Sequence, residues 1–227
     1  MIHGSGLLAT AFRDQCPDIG HWTVFARGVS NSSETLSAAF AREQDMLDEV
    51  LRTAAPVVYF SSCALLNPVE GDSAYLAHKR KMEARVLSAN AENVVFRLPQ
   101  VVGRTGNPNT LTNFLRDRIL TGTSFSIWRK AERNLIDVDD VVVIAAELMR
   151  ERTEQRVVNI AAERSMAMPE IVALFERVLG TSANFSLQDR GDPLRVDSTL
   201  AVSVAARLGI DLGAGNAERV VRKYYAH

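Results

Sequence analysis

Cysteine is scarce in this chain. Only Cys16 and Cys63 occur among 227 residues, too few for a disulfide framework and without metal-ligand spacing. The four histidines do not cluster either, so no structural zinc centre is expected and no metal is assigned. Charge of one sign is also missing. Lys and Arg number 26 against 27 Asp and Glu, a net charge of −1. Nucleic acid and membrane surfaces are held through basic patches, so neither is an expected partner. No run of about 18 apolar residues could span a bilayer, and no segment has the pattern of a signal peptide. A cytoplasmic protein is expected. There is no internal repeat and no low-complexity tract.

What is present suits a globular domain. Hydrophobic residues make up 47% of the chain and charged residues 23%, and the length allows one sizeable core or two small ones. Apolar runs of strand length alternate with helical patterns, which predicts a parallel α/β sheet. Strands are expected at Met1–His3, Trp22–Ala26, Val57–Ser61, Val94–Leu98 and Val157–Ile160. Helices are expected at Leu7–Gln15, Glu34–Ala54, Ser73–Asn90, Thr110–Leu120, Val138–Glu151, Pro169–Leu179, Ser198–Leu208 and Asn216–Tyr224. Pro169 at a helix start and Gly180 beyond its end follow the usual asymmetry of helix termini. The chain is expected to be a single domain. Residues 1–162 form its core, and 163–227, with 105–125 contributing, form a small and mostly helical cap.

Two segments carry chemistry. Tyr75 and Lys79 lie four residues apart, about one helical turn, so phenol and ammonium can share a face. A nearby cation favours phenolate and draws a tyrosine pKa down towards working pH. Upstream, Val57-Val58-Tyr59-Phe60-Ser61-Ser62 reads as a buried strand that ends in hydroxyls, one of which can hold a substrate oxygen beside the phenol. The same spacing also occurs in amphipathic helices with a solvated lysine; the hydroxyl-tipped strand favours the catalytic reading. At the start of the chain, Gly4-Ser5-Gly6-Leu7-Leu8-Ala9 is a G-x-G-x-x-A motif between a strand stub and a helix. In a dinucleotide site the first glycine makes the turn and the second lets backbone approach a pyrophosphate. The small third residue packs helix on strand. An ordinary glycine turn is the competing reading.

Together these segments resemble the extended short-chain dehydrogenases/reductases of the NAD-dependent epimerase/dehydratase family, over nearly the whole length. Val24-Phe25-Ala26-Arg27-Gly28-Val29-Ser30-Asn31 resembles the family's fourth strand, which ends beneath the nicotinamide ribose. Tyr59-Phe60-Ser61-Ser62 resembles the fifth strand with its catalytic Ser/Thr, and Tyr75 and Lys79 match the Tyr and Lys. Phe96-Arg97-Leu98-Pro99-Gln100-Val101-Val102-Gly103 resembles the strand and turn that border nicotinamide and sugar. Arg133-Asn134-Leu135-Ile136-Asp137-Val138-Asp139-Asp140 resembles the R-x-x-I-x-V-x-D segment, and Val158-Asn159-Ile160 the final strand. The resemblance implies a Rossmann-like, three-layer parallel sheet, shortened, with a small helical cap. It implies NAD or NADP held by Gly4, Ser5, Gly6, Leu7, Ala26, Arg27, Gly28, Lys79 and Pro99. Tyr75 is then the proton donor or acceptor, Lys79 lowers its pKa and bonds the ribose, and Ser62 fills the hydroxyl role, with Ser61 as the fallback. Arg133 matches the arginine that grips the diphosphate of a nucleotide sugar, which suits a guanidinium fork. Asn113 is the expected substrate contact on the loop near the cap helix.

The chain departs from the family between Gly6 and Val24. About 18 residues stand where the family places two further strands and a helix, and the acidic residue for the adenosine ribose goes with them. A second alignment makes Val24–Asn31 the family's second strand and gives Arg27 a cofactor 2′-phosphate. The fourth-strand alignment is preferred, and it leaves no reversal of strand order.

The expected activity is that of an NAD(P)-dependent epimerase or ketoreductase. Its substrate would be a nucleotide-activated sugar, as in surface-polysaccharide or deoxysugar synthesis. Cys63-Ala64 stands where the dehydratase branch usually carries an Asp-Glu pair, so dehydration is disfavoured. The alternative is a cofactor-poor relative that binds a ligand or partner without turnover. A homodimer through Glu34–Ala54 and Ser73–Asn90 is expected, with Leu36, Phe40, Leu47 and Leu51 as an apolar stripe. That stripe could instead face its own sheet.

Overall fold

A computed structural model of the chain describes residues 1–53, 55–67 and 73–226. The first half runs β1 (Ile2–His3), α1 (Leu7–Gln15), β2 (Thr23–Phe25), α2 (Ser37–Leu51), β3 (Val57–Ser62), α3 (Ala74–Ala89) and β4 (Val94–Leu98). There follow β5 (Gln100–Val102), α4 (Leu111–Leu120), β6 (Phe125–Trp128), β7 (Glu132–Arg133), β8 (Leu135–Asp137), α5 (Val138–Arg150) and β9 (Val157–Asn159). The chain ends with β10 (Met166–Ala167), α6 (Met168–Leu179), β11 (Phe185–Gln188), α7 (Thr199–Arg207) and α8 (Asn216–Tyr225). The expected helix end at Ala54 lies outside the described residues. Among the described residues no helix is long and apolar enough to cross a membrane.

The elements form two units. The first comprises Met1–Leu98 and Val138–Ile160, the second Pro99–Asp137 and Ala161–His227. The second thus takes in the whole of 99–137, more than the expected 105–125.

In the first unit five strands pair in the order β1-β2-β3-β4-β9, every pair parallel. Helices α1 and α5 pack together, as do α2 and α3. Five consecutive residues of β3, Val57–Ser61, are buried, as expected for a parallel strand covered on both faces. Phe25, Leu47, Val57, Tyr59, Met82, Val86 and Val95 form one apolar cluster of this unit. Strand β2 lies between β1 and β3, with Val24 opposite both Ile2 and Val58. That is the place of the family's fourth strand: in a sheet of order 3-2-1-4-5, only strand four separates strands one and five. The order is monotonic, so the sheet has no reversal.

The shortened sheet leaves β1 at an edge, and an unpaired edge must be managed. Here the strand is only two residues long, and Arg13 of α1 covers it. Its guanidinium donates to the carbonyl of Ile2 at 3.3 Å and to that of Gly4.

The second unit mixes helices with three two-stranded ladders: β5 with β8 and β6 with β11 in parallel, β7 with β10 antiparallel. Its core contains Leu115, Ile119, Phe125, Ile127, Leu135, Ile171, Phe175, Val220 and Val221. Helix α6 starts as expected with Pro169 in its first turn, while Glu170 accepts from the Ala167 N–H at 2.9 Å. It ends at Gly180 in the left-handed conformation (φ +66°), which glycine adopts without steric cost. Helix α8 is tied to β8 through buried Asp137, which accepts from Lys223 at 2.7 Å and from the Tyr224 hydroxyl at 2.6 Å.

Candidate active site

The glycine loop and the Ser-Tyr-Lys residues belong to the first unit. Gly4 has φ +128°, and a Cβ there would meet the Ala26 carbonyl oxygen at 2.2 Å. The first glycine is therefore required by the close approach of two backbones at the ends of β1 and β2. Gly6 is the N-cap of α1 with extended backbone, and no side chain caps this helix end. A Cβ on Gly6 would meet nothing within 4 Å. The loop thus presents an uncapped helix N-terminus with bare backbone above it, which fits a pyrophosphate.

Strand β3 delivers Ser61 and Ser62, and α3 delivers Tyr75 and Lys79. Ser73 caps α3 by accepting from the Leu76 N–H at 3.2 Å, so the helix starts at Ala74, one residue before Tyr75. Both Tyr75 and Lys79 are buried on it. The Ser62 hydroxyl stands beside Tyr75 and favours its phenolate; its oxygen accepts from the Ala64 N–H at 3.2 Å. The buried Ser61 hydroxyl has no hydrogen-bond partner among the described residues. Of the two serines, Ser62 is the one that acts on the Tyr75 phenol.

Lys79 is held differently from expectation. Its Nζ lies 3.1 Å from Glu43 Oε1 and 2.9 Å from the Tyr59 hydroxyl, but 5.8 Å from the centre of the Tyr75 ring. Glu43, on α2, is 1% exposed. It accepts from the Tyr59 hydroxyl at 2.7 Å and from the Val29 N–H at 2.6 Å, and its Oε2 is 3.0 Å from His78 Nε2. The His78 contact lacks the alignment of a hydrogen bond. Gly28 lies against this cluster: a Cβ there would meet Glu43 Oε1 at 2.7 Å and Lys79 Nζ at 2.9 Å.

The electrostatics follow from burial. Burial works to raise the Glu43 pKa, but the Lys79 charge and the hydrogen bonds from Val29, Tyr59 and Lys79 outweigh it and leave it lowered. Burial lowers Lys79 against the pull of Glu43. Beside an ionised carboxylate at 3.1 Å, the pair stands as an internal ion pair. Tyr75 is raised, not drawn down: burial pushes it up, the neighbouring Ser62 hydroxyl opposes this, and the Glu43 charge adds to the rise. The four-residue spacing predicts instead that Lys79 lowers it. The difference has a physical cause, since the ammonium contacts a carboxylate and a different phenol.

Glu43 and Tyr59 were missed as site residues. The signal was present, because Phe40, Glu43, Leu47 and Val50 share helical spacing, which puts a carboxylate on an apolar stripe. A buried carboxylate needs a partner. The stripe expected to meet a second copy faces inward. Leu47 is fully buried, Leu51 packs against the same cluster, and Phe40 stacks on His78 at 4.7 Å. Leu36 is exposed but precedes the helix.

The remaining expected residues are placed as follows. Ala26 donates its N–H to the His3 carbonyl at 2.9 Å. Arg27 is exposed and lines a hollow of about 570 Å³ with His3, Trp22, Met46 and Glu49. In the second unit, Pro99 sits between β4 and β5. Arg133 is partly buried and donates to the Glu132 carbonyl at 2.7 Å; among the described residues no carboxylate pairs with it. Burial lowers its pKa. Asn113, expected at the substrate, is 3% exposed and lines a hollow of about 430 Å³ with Arg104, Arg116 and Tyr225. Its amide donates to the carbonyls of Thr105 and Asn107 and accepts from the Tyr225 hydroxyl, all within 2.9 Å. It shapes the 105–109 loop.

The family model of the NAD dependent epimerase/dehydratase family matches residues 8–161. The chain belongs to this family. A search of the curated proteins found no match. Among solved structures, the chain is similar to the UDP-glucose 4-epimerase of Thermus thermophilus, solved with NAD. Its TM-score is 0.70 at 15% identity, over 96% of this chain and 80% of that one. The UDP-glucuronic acid 4-epimerase of Bacillus cereus, solved with UDP-glucuronic acid and NAD, gives 0.69 at 15%, over 97% and 78%. The UDP-N-acetylglucosamine 4-epimerase of Bacillus cereus gives 0.67 at 14%, over 96% and 94%. At these identities the likeness concerns the fold.

Proposed function

We propose that the protein is an NAD(P)-dependent epimerase or ketoreductase acting on a nucleotide-activated sugar, with Tyr75 as the proton-transfer group. The observation that carries this is the buried Tyr75 of α3 beside the Ser62 hydroxyl that ends β3, in the same unit as the uncapped helix start at Gly6. A bound nicotinamide would supply or accept hydride at the reacting carbon. The Tyr75 phenol gives its proton to the substrate oxygen when a carbonyl is reduced and takes one back when the alcohol is oxidised. Ser62 holds the same oxygen by hydrogen bonding. Gly4–Leu7 take the pyrophosphate. Arg133, a partly buried cation without a carboxylate partner among the described residues, suits the diphosphate of the sugar nucleotide. The epimerases of similar fold, solved with NAD and with a UDP-sugar, agree with this assignment.

Two observations favour a second reading, a ligand-binding relative without turnover. The edge strand β1 has no neighbour beyond it among the described residues, and Lys79 is committed to Glu43. The test separates the two. Calorimetry with NAD⁺, NADH, NADP⁺ and NADPH should show binding of at least one form, and turnover should follow with UDP-hexoses. Tyr75→Phe should keep the binding and lose about 10²–10⁴-fold in turnover. Binding without turnover of any nucleotide sugar would select the second reading, and absence of binding would remove the first.

A further inference from the structure

The Glu43–Lys79 contact has consequences for Tyr75. Lys79 carries three donor hydrogens. Two are directed inward, to Glu43 at 3.1 Å and to the Tyr59 hydroxyl at 2.9 Å. The ammonium is 3% exposed and its carboxylate partner 1%, so little solvent intervenes. Tyr59 closes the triangle by donating to the same Glu43 oxygen at 2.7 Å, and the Val29 N–H fixes the other oxygen at 2.6 Å. Glu43 is thus anchored on backbone and phenol, and Lys79 is anchored on Glu43. Towards Tyr75 the ammonium meets only the ring, 5.8 Å from its centre.

We propose that Glu43 is a positioning residue that binds and neutralises Lys79 in the core, and so keeps the ammonium from acting on Tyr75 as a free charge. The role assigned to Tyr75 rests on the proposed function; the charge relation among the three residues does not. The carboxylate and the ammonium act on the Tyr75 phenolate with opposite signs, so removing both should change little and removing either should change much. Other charged groups face the cluster. His78 lies beside Glu43, with burial holding it towards the neutral form. Glu83 on α3 acts on Lys79 and Tyr59, but Arg97 grips it with two bonds of 2.9 and 2.6 Å. Glu43 is therefore the unscreened counter-ion. A Glu43 that only fills space would leave Tyr75 untouched when replaced by its isostere.

The experiment is a titration of the Tyr75 phenol by ¹³C NMR of labelled tyrosine in the full chain, assigned with Tyr75→Phe. It needs neither substrate nor cofactor, so its failure is distinct from failure of the enzymatic reading. Glu43→Gln should lower the Tyr75 pKa by about one unit or more, because the lysine charge is released and the carboxylate charge is gone. Lys79→Met should move it upward. The double variant Glu43→Gln/Lys79→Met should return it to within about half a unit of the parent protein. Either single variant leaves a buried charge unpaired and can fail to fold; the double variant leaves none, and a shift of Tyr75 in it of about one unit or more in either direction overturns the proposal. An unchanged Tyr75 in Glu43→Gln would overturn the proposal. So would a rise of about one unit or more in the double variant, since Lys79 would then have been acting on Tyr75 throughout.

Discussion

The Cα hydrogen of Gly4 faces the carbonyl oxygen of Ala26 so closely that a Cβ would sit 2.2 Å from it. Gly6, two residues on, has nothing within 4 Å of the same position. The two glycines of one motif therefore do different work. Gly4→Ala should destabilise by more than the about 1–3 kcal/mol of backbone strain alone, because a backbone oxygen cannot rotate away. Gly6→Ala should cost less than about 1 kcal/mol in stability, since Ala is only a poorer N-cap. It should instead weaken dinucleotide binding by filling the space above the helix start. Chemical denaturation and a dinucleotide titration on each variant check the contrast. A Gly6→Ala protein with parental affinity would place the pyrophosphate elsewhere.

Acid should destabilise the protein in two steps. Burial lowers the His78 pKa from its ordinary 6.5. The unfolded chain then takes the proton more readily, so stability falls as pH drops below about 6.5. Glu43 is also lowered in the folded state, from 4.5. Its contribution is complete above that value and is lost as pH falls through the folded value. Each pH unit between folded and unfolded values is worth about 1.4 kcal/mol. Urea unfolding from pH 8 to pH 2 should show both losses. His78→Phe should flatten the first and leave the second, and a curve unchanged by that variant would assign the first step to another group.

The sheet was legible because its signal is strong and local. Runs such as Val57–Ser61 and Val94–Leu98 are long and apolar, and helices such as α1 and α5 begin at the expected residue. Even the strand-four alignment was available, from the likeness of Gly28-Val29-Ser30-Asn31 to the family's strand end. The ladders of the second unit were not. Strands β7 and β10 have two residues each and β5 and β8 three, too few for a period-two pattern to appear. They exist because of partners distant in sequence, as when Gln188 pairs with Trp128. The site divides the same way. Tyr75 and Lys79 declare themselves by spacing. Glu43 stands 36 residues from Lys79, and only the fold brings them to 3.1 Å. Its one trace in the sequence was a carboxylate on an apolar stripe, and that trace gives no partner.

Asp137 should prove structural. It is fully buried and accepts from Lys223 and Tyr224, with Arg219 3.7 Å away. Asp137→Asn keeps the volume and removes the charge. Lys223 is 40% exposed and can return to water, so the cost should be that of charge-assisted hydrogen bonds, about 1.5–3 kcal/mol. In a chain of this size that corresponds to roughly 3–12 °C in Tm. Hydrogen exchange should localise the loss to α8. Exchange that rises evenly over the whole chain would contradict a role in holding that helix.

Arg27 bears on cofactor choice. Had Val24–Asn31 been the family's second strand, Arg27 would select NADP(H) through a charge-assisted contact worth about 1.5–3 kcal/mol. That is about one to two decades in affinity. In the sheet, however, β2 separates β1 from β3, which is the fourth-strand position. Arg27 lies at its end among His3, Met46 and Glu49. Its charge is felt by His3, whose pKa is lowered by burial and then by the positive groups nearby, while Glu49 opposes them. A carboxylate in the same hollow makes it a poor site for a phosphate dianion. Arg27→Ala should therefore leave the ratio of NADP(H) to NAD(H) affinity within a few-fold of the parent protein. The check is a pair of titrations on parent and variant at one ionic strength, because salt screens such contacts. A tenfold or greater loss confined to NADP(H) would mean that the adenosine end reaches this hollow. The free edge of the shortened sheet would then have taken over the work of the strands that are not there.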